Sequence, residues 1–594
     1  MTTTHELPRW DLEVFFPSVD SPEFLSAIAE LAQKLEEWDS LGKAAKTDDL
    51  SPRLPSPDLA NHLVGLIEAV NTCSSKFQLI GSFLSNHCNA DTENEGAKAA
   101  RSRLTPHRVK FSRLATELTA WIGSLPIEEL LPLHPTLEAH AFPLRRAQKS
   151  ARFLMSMPEE SLVAELSESS SSAWSNLHRD VTSRIEVEVD GEKLPMSAVR
   201  NLAYDQDQGK RKRAYEAELV GWQAHAIPIA AAMNSIKGGA NVLGKRRGWE
   251  SQLDLSLFGN NMDRESLEAM LTAARESFPA FRRYFRAKAK LLGHSAGLPW
   301  YDLFAPVGQE RSFSYDEGMA FVVEGFGSYS QEMADFARRS FDENWIDVAP
   351  RKGKVDGAYC SGVTGDISRI LMNYKPSFGS VSTLAHELGH AYHNLCLSQR
   401  TPMMKSTPMT LAETASIFCE TIIKKKATST AEGQELMAIL EASLQGQAQV
   451  VVDITSRYLF ETQVIELRKE RELSSQEFCD LMTQAQKDTY GDGLDPDTLH
   501  PYMWAMKPHY YSYSAFYNYP YMFGLLFSLG LYRVYSEQPN GFHERYDDLL
   551  SSTGLDNAAE LTERFGIDIR ETEFWRGSLK VIEEDIDSFV SLVG

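Results

Sequence analysis

Apolar residues recur at three- and four-residue spacing along most of this 594-residue chain, the period of amphipathic helices packed on a core. "SPEFLSAIAELAQKLEEW" opens with Ser21 as N-cap and Pro22 at the first helical position, and "SPDLANHLVGLIEAV" repeats that entry from Ser56. "SSQEFCDLM" carries a capping box, Ser474 with Glu477 three residues on. Period-two alternation is rare. "RIEVEVDGEKLPM" alternates around Asp190-Gly191, a dipeptide suited to a hairpin turn. "GAYCSGVTGDISRILMNY" predicts two short strands, over 357–360 and 367–374, joined by a glycine-containing loop. The pattern therefore predicts a mainly α protein with a small β component. A soft boundary near residue 195 separates an N-terminal helical domain with a hairpin (1–195) from a longer helical domain (196–594). No internal repeat is visible, and "SESSSSAWS" reads as a loop or helix cap.

Composition narrows the function. With 43% hydrophobic residues the chain has enough for a large core, and 82 acidic against 60 basic residues leave a formal charge of −22. Such a surface repels phosphate, which argues against nucleic-acid and anionic-lipid partners. The run "GKRKR" reads as a solvated helix face. The start, "MTTTHELPRWDLEVFF", lacks the basic and apolar regions of a signal peptide. The most membrane-like run, "YPYMFGLLFSLGLYRVY", breaks at Arg533 before the ~18 unbroken apolar residues of a span, so no membrane partner is expected. Six scattered cysteines without a CxxC pair fit a reducing cytoplasm.

Against this background "TLAHELGHAYH" stands out. Residues four apart on a helix lie one turn apart on the same face, so His386 and His390 are placed to grip one metal ion. Glu387 lies beside the pair, positioned to hold a water rather than the metal. Gly389 within the helix costs roughly 1 kcal/mol against alanine, which predicts a close neighbour there, a strand or substrate. A catalytic zinc takes three protein ligands and keeps one open position. Downstream, "TPMTLAETASIFCETIIKKK" reads as a second helix with Glu413 and, seven residues later on the same face, Glu420. Two carboxylates on an apolar helix need partners. A metal for Glu413 and a ligand-histidine N–H for Glu420 satisfy both. His393 lies further round the helix and is read as structural or as a support to the ligands.

The segment "HPYMWAMKPHYYSYSAFYNYPYMFG" places seven tyrosines between Tyr502 and Tyr521, too many to bury without hydroxyl partners. As the lining of a polar cleft it makes sense. Amide hydrolysis needs donors for the developing oxyanion, and His509 with one or more of Tyr517, Tyr519 and Tyr521 are the candidates. Some of the rings also fit an aromatic core.

These pieces resemble the M3 family of zinc oligopeptidases, in particular its oligoendopeptidase F branch. The resemblance rests on "GAYCSGVTGDISRILMNY", "TLAHELGHAYH", "LAETASIFCE" and "PHYYSYSAFYNYPY", with a weaker match at "RWDLEVFFPS". It implies a two-lobed, zincin-type helical shell around a deep central channel, with a small β-sheet beside the active-site helix. One Zn2+ per chain is expected on His386, His390 and Glu413, with Glu387 as base. His509 with Tyr517 or Tyr519 is expected to stabilise the transition state. The strand with Gly357 and Tyr359 is expected to hold substrate backbone, with Tyr521 in the same cleft. The family's tyrosine usually sits closer to the histidine, and Phe516 takes a position that is tyrosine in other branches. The implied activity is cleavage of short, unstructured peptides at internal bonds. A helical zinc carboxypeptidase and a non-catalytic peptide-binding protein of the same fold are the alternatives.

Overall fold

The computed structural model describes residues 7–309 and 311–594; the first six residues of the opening segment lie outside it. Local capping starts the helices where the sequence places them. Ser21 Oγ accepts the Phe24 N–H at 3.2 Å at the head of α1 (Pro22–Ala45). Ser56 Oγ accepts the Leu59 N–H at 3.2 Å at the head of α2 (Pro57–Ala90). The capping box of Ser474 and Glu477 forms as well.

The hairpin pairs β1 (Glu186–Val189) with β2 (Glu192–Pro195), and both turn residues, Asp190 at φ 54° and Gly191 at φ 81°, are left-handed. Farther along lie the helices α3 (Gln208–Arg246), α4 (Gln252–Gly259) and α5 (Arg264–Leu291). A three-stranded sheet follows, of β3 (Ile346–Asp347), β4 (Tyr359–Thr364) and β5 (Ile367–Leu371), in the order β3-β5-β4. β3 runs parallel to β5 and β4 antiparallel, with Tyr359 opposite Leu371, which leaves β4 at an edge. Behind the sheet come α6 (Phe378–Cys396), α7 (Thr414–Thr430), α8 (Tyr519–Glu537) and α9 (Thr572–Val593).

Two large hydrophobic cores form, with a small third cluster of Val189, Val199 and Ala214 beside the hairpin. The first joins Leu31, Leu35 and Trp38 of α1 to Leu63, Ile67 and Phe83 of α2, then to Trp121 and Leu144, and from the second half of the chain takes the buried Leu371, with Val355, Tyr359 and Met403 packed against it. The second runs from Ile185 to Phe589 and contains α5, α6, α7, α8 and α9. Ile185 and Met196, which flank the hairpin, pack into this second core with Trp222. The division between cores thus falls before the hairpin, not after it at residue 195.

Other differences from the sequence reading are local. The strands span 359–364 and 367–371, joined by a turn at Gly365-Asp366, and their pairing shifts register between Gly362 and Thr364, where Val363 is left without a partner. Gly357 precedes the strand, in a loop at φ 83°, where its carbonyl accepts from Asn373 Nδ2 at 3.0 Å. Within "GKRKR", Arg211 is no solvated residue: it is 3% exposed and donates through Nε to Asp302 at 2.8 Å. The tyrosine-rich apolar run is α8, with Met522, Phe523, Leu526 and Phe527 inside the second core. Among the described residues no helix is long and apolar enough to cross a membrane.

Candidate active site

α6 begins at Ser377, whose Oγ accepts the Ser380 N–H at 3.3 Å. Its buried face carries Val381, Leu384, Ala385, Leu388 and Ala391, so the 382/386/390 stripe is turned to a cleft. The His386 and His390 rings stand on that stripe with centroids 4.9 Å apart. Gly389, on the other side, meets neither a strand nor a substrate but the backbone of α7. A Cβ at residue 389 would lie 2.6 Å from the Ala415 carbonyl oxygen and 2.6 Å from Ser416 Cα. This contact brings the second acidic segment against the histidine pair.

Glu413 sits at a break between the short helix Met409–Ala412 and α7, rather than inside one continuous helix. Its Oε2 lies 3.3 Å from His386 Nε2 and 3.4 Å from His390 Nε2. Ligands held about 2.0–2.1 Å from one tetrahedral ion stand about 3.3–3.4 Å from each other, so the spacing fits zinc. The three donor atoms lie within 4.8 Å of one another. Ser416 Oγ donates to Glu413 Oε2 at 2.7 Å, and Ser528 Oγ of α8 donates to the Glu413 carbonyl at 3.2 Å. Glu420, two turns along α7, takes the other face of His386: its Oε2 is 3.2 Å from Nδ1. Ser382 Oγ donates to Glu420 Oε1 at 3.1 Å. Burial opposes a charged His386, but the Glu413 and Glu420 hydrogen bonds outweigh it and raise its pKa to about 10. The two histidines hold Glu413 well below the usual carboxylate range despite its burial. A carboxylate converging on the Nε2 atoms of two histidines calls for a cation among the three.

Glu387 is 5% exposed, and its Oε2 has no hydrogen-bond partner. Burial raises its pKa, offset in part by the neighbouring histidines. It borders a cleft of about 740 Å³ together with His386, His390, Glu413, Gln78 of α2 and Cys360 of β4. The edge strand therefore lines the same space as the metal-binding cluster, where the first lobe meets the second. On β4, the Gly362 carbonyl is already taken by Ser82 Oγ at 3.0 Å, and Tyr359 OH donates to Asn86 Oδ1 at 3.0 Å. His393 is structural: its Nε2 lies 3.0 Å from Thr553 Oγ1 and 3.2 Å from the Leu550 carbonyl, and burial lowers its pKa to about 4.

The tyrosine segment divides between buried and exposed rings. Tyr510 is fully buried, and Tyr511 is spent on the Trp504 carbonyl at 3.1 Å. Tyr519 is 1% exposed, and its hydroxyl lies 3.3 Å from both Ser256 Oγ and Asn260 Nδ2. That places Tyr519 in the support of α4 and corrects its expected role as an oxyanion donor. Tyr517 is 40% exposed and shares a 3.1 Å hydrogen bond with the Tyr521 hydroxyl. Burial, the Tyr517 hydroxyl and the Glu413 carboxylate all raise the Tyr521 pKa, which ties this pair to the cluster. The Tyr517 and His509 rings stack at 17° with centroids 5.9 Å apart. Burial and the Arg457 and Lys507 charges bring His509 down to about 3, and its buried Nε2 has no partner. Phe516 turns the chain between His509 and this pair at φ 56°, a left-handed conformation that a phenylalanine adopts only under constraint. Sequence reading missed Ser416, Ser382 and Ser528. Only Ser416, three residues beyond Glu413, had a spacing that signalled contact.

Two histidines and a glutamate at tetrahedral spacing, an unpaired buried carboxylate on the same helix, and an edge strand in one cleft define a helical metallopeptidase site. The chain belongs to peptidase family M3, whose description matches residues 201–581; a second description, Oligopeptidase F, matches residues 123–186. It is a metalloendopeptidase of that family. Oligopeptidase PepF of Bacillus subtilis (strain 168) is 23% identical over 98% of this chain and 87% of its own length. An oligoendopeptidase F homolog of Lactococcus lactis subsp. lactis (strain IL1403) is 22% identical over 90% of this chain and 91% of its own. The crystal structure of a putative peptidase from Chlamydophila abortus superposes with TM-score 0.81 at 21% identity, covering 98% of each chain. That of oligoendopeptidase-F from Enterococcus faecium does so with TM-score 0.69 at 18% identity, covering 96% of this chain and 99% of that one.

Proposed function

We propose that this chain cleaves internal bonds of short, unstructured peptides, with one zinc held by His386, His390 and Glu413. The observation that carries this reading is the unpartnered Glu387 carboxylate, buried beside a three-donor cluster at zinc spacing. Zinc in that position supplies Lewis-acid polarisation of the scissile carbonyl and lowers the pKa of a nearby water. Glu387 accepts a proton from the attacking water and returns it to the leaving amine. Neutral His509, with its free Nε2, and the Tyr517–Tyr521 hydroxyl pair donate to the carbonyl oxygen as charge builds there. Glu420 holds the Nδ1–H of His386, which turns Nε2 toward Glu413. Peptide main chain pairs with the edge of β4 around Cys360, so side chains matter less than an extended backbone. A cytoplasmic setting belongs to the same reading, on the sparse and unpatterned cysteines.

The test is a mass-spectrometric cleavage map of the zinc-loaded protein on one peptide with free ends and the same peptide blocked at both ends. Cuts within both are expected. Stepwise release from the free C-terminus alone would indicate a carboxypeptidase, and zinc-loaded protein without turnover would indicate a binding protein.

A further inference from the structure

A second cleft, of about 450 Å³, lies between the short helix Met196–Asn201, α3 and the segment that leads to His509. Arg200, Tyr204, Phe304 and Lys507 line it, and its wall also includes Asp356. Lys507 is two residues before His509, and Asp356 is two residues before Ala358, which lines the metal cleft.

Its charges are not fully matched. Arg211 is paired with Asp302 at 2.8 Å. Glu218 receives Trp222 Nε1 at 3.0 Å, stands 3.1 Å from Arg200 Nε and lies 3.4 Å from His500. Arg200 thus uses one edge of its guanidinium, and its Nη groups have no partner among the described residues. Lys507 forms no ion pair among the described residues. Asp356 is exposed, with its Oδ1 occupied by the Gly357 N–H at 2.9 Å. Lys507 is part-buried, and an ammonium drawn away from water without an anion is unfavourable; burial with the Arg457 charge holds its pKa down to about 7. An arriving anion relieves that imbalance.

We propose that Lys507 and Arg200 form a carboxylate-binding subsite of the peptide cleft, which takes the substrate's C-terminal carboxylate or an acidic side chain. The assignment rests on the metallopeptidase reading above. A single carboxylate suits the site better than a doubly charged phosphate, because Glu218 and Asp356 border the same space. The aromatic walls at Tyr204 and Phe304 leave room for the apolar part of the residue that carries it.

The experiment uses internally quenched peptides of one sequence in two comparisons, free C-terminus against C-terminal amide, and Glu against Gln at successive positions. For the zinc-loaded parent, one comparison is expected to favour the carboxylate in kcat/KM by about tenfold or more, the scale of one charge-assisted hydrogen bond. The acid–amide arm identifies a terminal carboxylate and the Glu–Gln arm a side chain. Lys507→Gln should bring that ratio near one, and Lys507→Arg should keep it. Because the ratio is taken within one protein, partial unfolding of a variant cancels. Ratios near one for the parent in both arms overturn the subsite and leave the peptidase reading standing, as does a ratio that survives Lys507→Gln combined with Arg200→Gln. A zinc-loaded parent that cuts no peptide removes the peptidase reading itself, and the subsite with it.

Discussion

Gly524 of α8 lies directly against Glu413: a Cβ at residue 524 would stand 2.7 Å from the Glu413 Cβ. Gly389 does the same from α6 against Ala415 and Ser416, so the acidic ligand is seated between two helices that each lack a side chain at the contact. Gly389→Ala and Gly524→Ala should both lower zinc retention and melting temperature, although alanine is the better helix former. Overpacking of this kind costs about 1–3 kcal/mol, and the Gly389 contact is with backbone that cannot move aside cheaply. Zinc content after dialysis against a mild chelator, beside a thermal melt, is the measurement. Variants as stable and as zinc-replete as the parent would show that the helices part without disturbing the ligands.

Glu387→Gln should keep zinc and lose most turnover. The amide preserves shape and burial but does not accept a proton, and loss of a general base costs about 10²–10⁴-fold. Near-normal peptide cleavage by a zinc-loaded Glu387→Gln protein would falsify the role given to this residue.

The two acids that meet His386 should separate in their effect on the metal. Glu413→Ala removes a donor 3.3 Å from His386 Nε2, and zinc should be lost to a mild chelator. Glu420→Ala removes only the partner of Nδ1, and affinity should fall by about 10–100-fold. If competition titration with a zinc indicator gives equal losses, the ligand assignment has to be redrawn.

His509→Ala, Tyr517→Phe and Tyr521→Phe should lower kcat with little change in KM, because an oxyanion donor acts mainly in the transition state. Loss of one such donor costs about 10²–10³-fold. Tyr519→Phe should behave differently. It gives up the hydrogen bonds to Ser256 and Asn260, so its effect should appear in the melting temperature, with kcat nearly retained. A kcat loss confined to Tyr519→Phe would restore the role that its burial argues against.

Acid should act on stability through His509. Its folded pKa of about 3 lies below the ordinary 6.5, so on acidification the unfolded chain binds a proton that the folded chain refuses. The contribution is fully present above about pH 6.5 and is lost progressively as pH falls toward 3. Metal-free His509→Gln should therefore lose less stability than the metal-free parent between neutral pH and about pH 4. Parallel pH–stability curves for the two proteins would place His509 in an ordinary, solvated environment.

Much of the site was legible in the chain because it depends on short-range geometry. Helical periodicity alone puts His386 and His390 on one stripe of α6. The seven-residue spacing of Glu413 and Glu420 puts both on one side of the second acidic segment, where they take opposite nitrogens of His386. Capping at Ser21, Ser56 and Ser474 and the Asp190-Gly191 turn are likewise settled by atoms a few residues apart. Glu413 already shows the limit, since the chain breaks there instead of running on as one helix.

The direction of the tyrosines was decided only in three dimensions. Tyr517 and Tyr519 stand two residues apart, yet one is exposed and the other is held by Ser256, 263 residues away. The meaning of Gly389 and Gly524 came equally late, because what a missing side chain admits depends on which backbone arrives there. So did the unmatched charge of Lys507, since a lysine is unpaired only in relation to every acid the fold leaves beyond its reach. Contacts within a turn or two are set by bond geometry and repeat wherever the pattern repeats. Contacts between distant segments are set by how whole helices pack, and no local pattern of apolar and polar residues records them.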